Sequence, residues 1–99
     1  MLRKLLLTYA ASVLALAATV HGQSWRTLTP MPTARRSLVA AAVVDTVYAI
    51  GGQGSSPYLN VVEAYDVNAD QWTTLPPMPT PRYGLCAAAI DGIVYAVGG

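Results

Sequence analysis

Histidine and cysteine are almost missing from this chain, with one of each in 99 residues, and lysine occurs only at position 4. His21 and Lys4 both fall in an N-terminal stretch that reads as a removable leader. The residues after it therefore offer no histidine, which excludes a histidine-ligated metal, a Ser-His-Asp triad and a Cys-His pair within them. Cys86 stands alone and cannot form an internal disulfide. Its run, Leu85-Cys86-Ala87-Ala88-Ala89-Ile90, predicts a buried, small apolar residue rather than a reactive thiol. Charge is sparse as well. Beyond the leader, Arg26, Arg35, Arg36 and Arg82 stand against Asp45, Glu63, Asp66, Asp70 and Asp91. No basic patch survives to hold a nucleic acid backbone, and no metal or cofactor is expected.

The leader spans residues 1–22. Arg3 and Lys4 give it a positive start, and an uncharged, mostly apolar stretch runs from Leu5 to Val20. Val20 and Gly22 are small enough to precede a signal-peptidase cut before Gln23, with Ala15-Leu16-Ala17 as a second site. The stretch is Ala-rich, interrupted by Thr8, Tyr9 and Ser12, and short beside the ~20 strongly apolar residues of a membrane span. A cleaved secretory signal is therefore expected rather than an uncleaved anchor. A secreted or periplasmic location follows, with no membrane attachment after cleavage.

What is abundant is self-similarity. Sliding the chain by 47 positions lays Trp25 on Trp72, Pro30-Met31-Pro32-Thr33 on Pro77-Met78-Pro79-Thr80, and Arg35 on Arg82. Ala40-Ala41-Ala42 falls on Ala87-Ala88-Ala89, Val47-Tyr48-Ala49 on Val94-Tyr95-Ala96, and Gly51-Gly52 on Gly98-Gly99. Across residues 25–52 the overlay has 17 identities in 28 positions without a gap, more than chance produces.

Within one period the local signals predict strands. Leu38–Val44 is a short apolar run, a turn is placed at Asp45-Thr46, and Val47–Ile50 follows. In the second copy Asp91-Gly92 marks the same hairpin. After the glycine pair comes a polar loop from Gln53 to Pro57, then a third strand at Val61–Asp66. A turn at Asn68-Ala69-Asp70 leads to a fourth strand at Gln71–Leu75. Pro76, Pro77, Pro79 and Pro81 cannot sit inside a sheet and form the link to the next unit. Four strands per ~45-residue period is the pattern of a propeller blade.

Gly51-Gly52, Tyr65 and Trp72, with Pro79-Thr80-Pro81-Arg82 beyond, resemble the kelch repeat, and the resemblance covers residues 25–99. It implies an all-β fold: an incomplete kelch-type β-propeller of four-stranded antiparallel blades, preceded by the signal peptide. Lettering the strands A to D, residues 23–99 then supply a D strand (25–28), a full blade (38–75) and a partial blade (85–97). Gly98 and Gly99 end the partial blade, and Trp25 marks the first D strand as Trp72 marks the second. Closed propellers have at least about four blades. The chain is therefore expected to be a truncated product or partial sequence, with further blades supplied by missing sequence or by oligomerisation.

Alternating strand directions place the B-C and D-A loops at one end of the blade. That end carries Arg35, Arg36, Gln53 to Tyr58, Arg82 and Tyr83. Guanidinium forks and aromatic faces suit a carboxylate or a sugar, so Arg36, Tyr58, Tyr83, Arg35 and Arg82 are the candidate binding residues. Arg35 and Arg82 recur at one repeat position, which favours a structural role, bonding loop carbonyls of a neighbouring blade. Arg36 and Tyr83 break the repeat and are the better binding candidates. Glu63 and Asp66 lie three apart on a strand, point to opposite faces and cannot act as an acid-base pair on one atom. Glu63 is expected to bond a loop backbone or an arginine, and Asp66 to start a turn. The glycine pairs lack a following lysine and helix, so close backbone packing explains them better than phosphate binding. By analogy with the family, the expected function is a module binding a protein or carbohydrate partner through these loops. The alternative is a fragment of a periplasmic sugar-active kelch enzyme such as a sialic-acid mutarotase. A copper-dependent sugar oxidase is disfavoured by the missing histidines.

Overall fold

The computed structural model describes residues 24–55 and 57–99, as six strands and no helix. The leader predicted over 1–22 lies outside the described residues. Strands β1 (Val39–Val43), β2 (Thr46–Ile50), β3 (Val62–Asp66) and β4 (Gln71–Leu75) form one antiparallel sheet in chain order. Strands β5 (Cys86–Ile90) and β6 (Ile93–Val97) form a separate hairpin that lies against β1.

Turn chemistry sets the register of each hairpin. Ile90 pairs with Ile93 across Asp91-Gly92, whose φ values are 51° and 77°. Two positive φ angles match the right-handed twist of the flanking strands, and Asp-Gly tolerates them. In the first copy Val43 pairs with Thr46, so the turn is Val44-Asp45, one residue earlier than predicted. Thr46 is drawn into the ladder on both sides, opposite Val43 and Asp66. The shift leaves Val44 at φ 52°, a region that a β-branched residue seldom adopts. The β3–β4 turn is held by Asp66, whose Oδ1 accepts from the Asn68 and Ala69 amides at 2.9 and 3.1 Å. Asp66 starts the turn as the sequence implies.

The core is small and off-centre. Ala49, Ile50, Tyr65 and Leu85 are buried, joining the end of β2, the middle of β3 and the link that enters β5. Tyr65 and Trp72 are direct cross-strand partners, with ring centroids 5.0 Å apart and planes at 45°. That tilted arrangement suits two aromatic quadrupoles.

Two further expectations fail. Trp25–Leu28 forms no strand, because a D strand needs a C strand beside it and the described residues provide none there. Instead the Thr29 amide donates to Asp70 Oδ1 at 3.0 Å and the Thr29 carbonyl accepts from Trp72 Nε1 at 2.9 Å. The segment is thus tied to the face of the full blade, with Trp25 fully exposed. Cys86, expected to be buried, is exposed. It opens β5, whose side chains are mostly solvent-facing because no further sheet covers them.

A buried ion pair and an exposed aromatic pair at the loop end

The link before β1 folds back over the ends of β2 and β3 and inserts Arg35 between them. Its Nη1 donates to the carbonyls of Gly51 at 3.0 Å and Val61 at 3.1 Å. Its Nη2 donates to the Ala49 carbonyl at 3.2 Å and to Glu63 Oε1 at 2.9 Å. Both side chains of this ion pair are buried. Glu63 Oε2 accepts from Thr33 Oγ1 at 2.7 Å, so each carboxylate oxygen has a donor. Burial lowers the Arg35 pKa below its ordinary value, with Glu63 pulling the other way; the guanidinium stays charged in any case. The carbonyls it bonds belong to the blade its link enters, not to a neighbouring blade as the sequence suggested. The Arg35 side chain is buried, leaving Nε as the one donor without a hydrogen-bond partner and no group facing a ligand at the surface. Glu63 is the arginine partner that the sequence allowed for, while the role of Thr33 went unread although it too recurs, as Thr80.

The glycine pair performs the close packing expected of it. A Cβ on Gly51 would lie 2.5 Å from the Arg82 carbonyl, and one on Gly52 would lie 2.8 Å from the Arg36 carbonyl. Both glycines have positive φ, 66° and 106°. With no side chain in the way, the Gly52 amide donates to the Arg82 carbonyl at 2.8 Å. Three more backbone bonds secure the second link to the first blade: Met78 amide to Asn60 carbonyl, Arg82 amide to Leu59 carbonyl, and Gly84 amide to Ser37 carbonyl. Arg82 Nη1 reaches the Gly98 carbonyl at 2.6 Å.

The other three candidates remain at the surface, at the same end. Arg36 and Gln53 exchange backbone bonds at 3.0 and 2.8 Å, and Gln53 bridges in turn to Tyr58. Arg36 Nη2 donates to Gln53 Oε1 at 3.3 Å. Tyr58 from the B-C loop and Tyr83 from the second link stack with centroids 4.3 Å apart and planes at 25°. Both are substantially exposed, and the Tyr83 hydroxyl, through hydrogen bonding and then charge, raises the Tyr58 pKa. Beside them a shallow cleft is lined by Ala34, Arg35, Arg36, Gln53, Gly54 and Ser55. The structure thus brings Arg36, Tyr58 and Tyr83 to one surface and buries the Arg35 side chain beneath it.

At the opposite end of the blade the Tyr65 hydroxyl donates to Asp70 Oδ1. That bond raises the tyrosine pKa and lowers that of Asp70. Among the described residues no group of three or more metal-ligating side chains occurs.

Comparison with known proteins supports a fragment of the kelch-repeat family. The Kelch motif family model matches residues 34–79, which run from the Arg35 link to the prolines after β4. The chain carries a kelch motif. A stretch of 45 residues, 46% of this chain and 6% of the other, is 38% identical to human Kelch-like protein 4. The solved structure of YjhT superposes with a TM-score of 0.69 at 24% identity, covering 77% of this chain and 24% of that one. The chain therefore spans a small part of the relatives it matches. Taken with the all-antiparallel sheets, the fold is an incomplete kelch-type β-propeller: one four-stranded blade followed by the first two strands of another.

Proposed function

We propose that this kelch chain is a protein-binding module whose loop end, carrying Arg36, Gln53, Tyr58 and Tyr83, receives the partner. The observation that carries the reading is the exposed stack of Tyr58 on Tyr83 beside an arginine held only by one glutamine side chain. Aromatic residues and arginine are the side chains most enriched in binding hot spots, and Arg36 suits a partner carboxylate bidentately. Kelch propellers generally bind protein partners, which supports a protein partner here. The positive start and apolar stretch of residues 1–22 support a secreted or periplasmic setting.

A peptide-display library panned against the chain tests this. Recovered peptides should lose at least tenfold in affinity to Arg36→Ala and Tyr83→Ala, and should bind Asn68→Ala, at the opposite end, unchanged. Loss on Asn68→Ala alone would overturn the placement. A second reading, carbohydrate binding, draws on the same exposed aromatic faces. Glycan-array hits sensitive to Tyr83→Ala, with no peptide recovered, would favour it.

A further inference from the structure

The backbone is what brings Tyr58 and Tyr83 together. Tyr58 lies on the B-C loop, where its main chain bridges to Gln53. Tyr83 lies on the link into β5, at the repeat position that Arg36 fills in the first link. The Arg82 amide donates to the Leu59 carbonyl at 3.0 Å and the Gly84 amide to the Ser37 carbonyl at 2.9 Å. The link is therefore anchored on both sides of Tyr83, and one anchor sits next to Tyr58.

The rings lie face to face, with centroids 4.3 Å apart and planes 25° from parallel. Their hydroxyls are near enough for Tyr83 to raise the Tyr58 pKa, so the overlap is head to head. The ring carbons ortho to the two oxygens then face each other. Solvent reaches both rings, which are 49% and 40% exposed. No other tyrosine among the described residues is arranged in this way. Tyr65 is buried, tilted against Trp72 and bonded to Asp70. Tyr48 is half-buried and Tyr95 exposed, and neither stacks on another ring.

We infer that Tyr58 and Tyr83 form an oxidative cross-linking site, converted to dityrosine by a haem peroxidase with hydrogen peroxide. The oxidant removes one hydrogen atom from each phenol. The unpaired electrons of the two phenoxyl radicals spread to the ortho carbons, where one carbon–carbon bond forms. The hydrogen on each of those carbons then shifts to oxygen and restores both phenols. The pair loses two hydrogen atoms in all, and one peroxide is reduced to two waters. Proximity decides which tyrosines couple. Rings already in contact react at high effective concentration, whereas a radical on Tyr95 must meet a second chain. The product ties the B-C loop to the second link across β3 and β4. It constrains the unfolded chain as a disulfide does, a constraint that Cys86 alone cannot supply within the chain.

The test treats the full chain, at low concentration, with a haem peroxidase and hydrogen peroxide. The monomer fraction should gain dityrosine fluorescence and lose the mass of two hydrogens. Tandem mass spectrometry of its digest should find residues 58 and 83 joined, and its melting temperature should rise. Tyr58→Phe and Tyr83→Phe each keep a ring in the stack but remove a phenol, and each should cut the monomer fluorescence at least tenfold. Tyr95→Phe should leave it unchanged. None of these readouts depends on partner binding. Links formed by other tyrosines, coupling confined to dimers, or monomer fluorescence indifferent to Tyr83→Phe would each overturn the inference.

Discussion

Ile50 and Val97 occupy one position of the repeat, yet Ile50 is 3% exposed and Val97 is 64% exposed. Both close a second strand beside an Ala-rich first strand, and both precede a glycine pair. The difference lies in what stands next to them: β3 covers the edge of β2, and nothing among the described residues covers β6. The same holds for the arginines. Arg35 is sealed beneath Glu63, whereas Arg82 makes a single side-chain bond at the surface. Near-identical sequence thus yields a core in one place and a surface in another, because in a repeat each unit is buried by its neighbours.

The sharpest way to break this comparison is to remove the carboxylate from the complete blade. Glu63→Ala leaves the buried Arg35 charge unpaired and should cost about 3–5 kcal/mol, enough to abolish a cooperative thermal transition in a chain this small. Arg82→Ala, at the same repeat position as Arg35, should lower the midpoint only slightly. Equal losses would show that Arg82 already stabilises the chain as Arg35 does.

The tryptophans give the next contrast. Trp72 is half-buried against Tyr65 and bonded to Thr29, so Trp72→Ala should cost about 2–3 kcal/mol, below the range for fully buried aromatics. Trp25→Ala, at the same repeat position but fully exposed, should stay within about 0.5 kcal/mol. Urea midpoints of the two variants measure the contrast directly.

A gain of stability should follow from making the first hairpin more like the second. Val44→Asn relieves a β-branched residue at φ 52° and should raise stability by about 0.5–1 kcal/mol. Asp45 is kept, because its carbonyl accepts from the Val67 amide and its Oδ2 from Asn68 Nδ2. A fall in the melting temperature would mean that the turn is not strained.

The smallest effect concerns pH. The Tyr65–Asp70 bond lowers the folded Asp70 pKa and raises that of Tyr65. For Asp70 the contribution is present above its unfolded value, about 3.9, and is lost as pH falls through the lowered folded value. For Tyr65 it is complete below the unfolded value of about 10 and is lost as pH rises toward the raised folded one. Tyr65→Phe should flatten both flanks of a melting-temperature profile while leaving its shape near neutrality unchanged.

Much of the blade was legible in the chain itself. The 47-residue overlay, Asp91-Gly92 and the proline link fix strand number and order, since each rests on local backbone chemistry. The turn at Val44 was misplaced because no local signal there outweighs the pull of the β2–β3 ladder on Thr46. Trp25–Leu28 looked like a strand because it matches Trp72–Leu75, but ladders need partners and pattern carries no record of them. At the loop end, Arg36 and Tyr83 stood out by breaking the repeat. The stacking of Tyr83 on Tyr58 depends on how two loops converge, which spacing along the chain does not encode. Thr33 was missed although Thr80 repeats it, because a hydroxyl in a proline-rich link also reads as ordinary turn chemistry.

The four backbone bonds that join residues 78–84 to the first blade have a geometric consequence. They fix the rotation that carries one blade onto the next. A ring of blades closes only when that rotation divides a full turn into whole parts. The blade count of any propeller assembled from this repeat therefore depends on these seven residues and the glycine pair they press against, together with the packing of β5 on β1. A side chain at Gly51, by pushing the link outward, would alter that angle and with it the number of units the circle can hold.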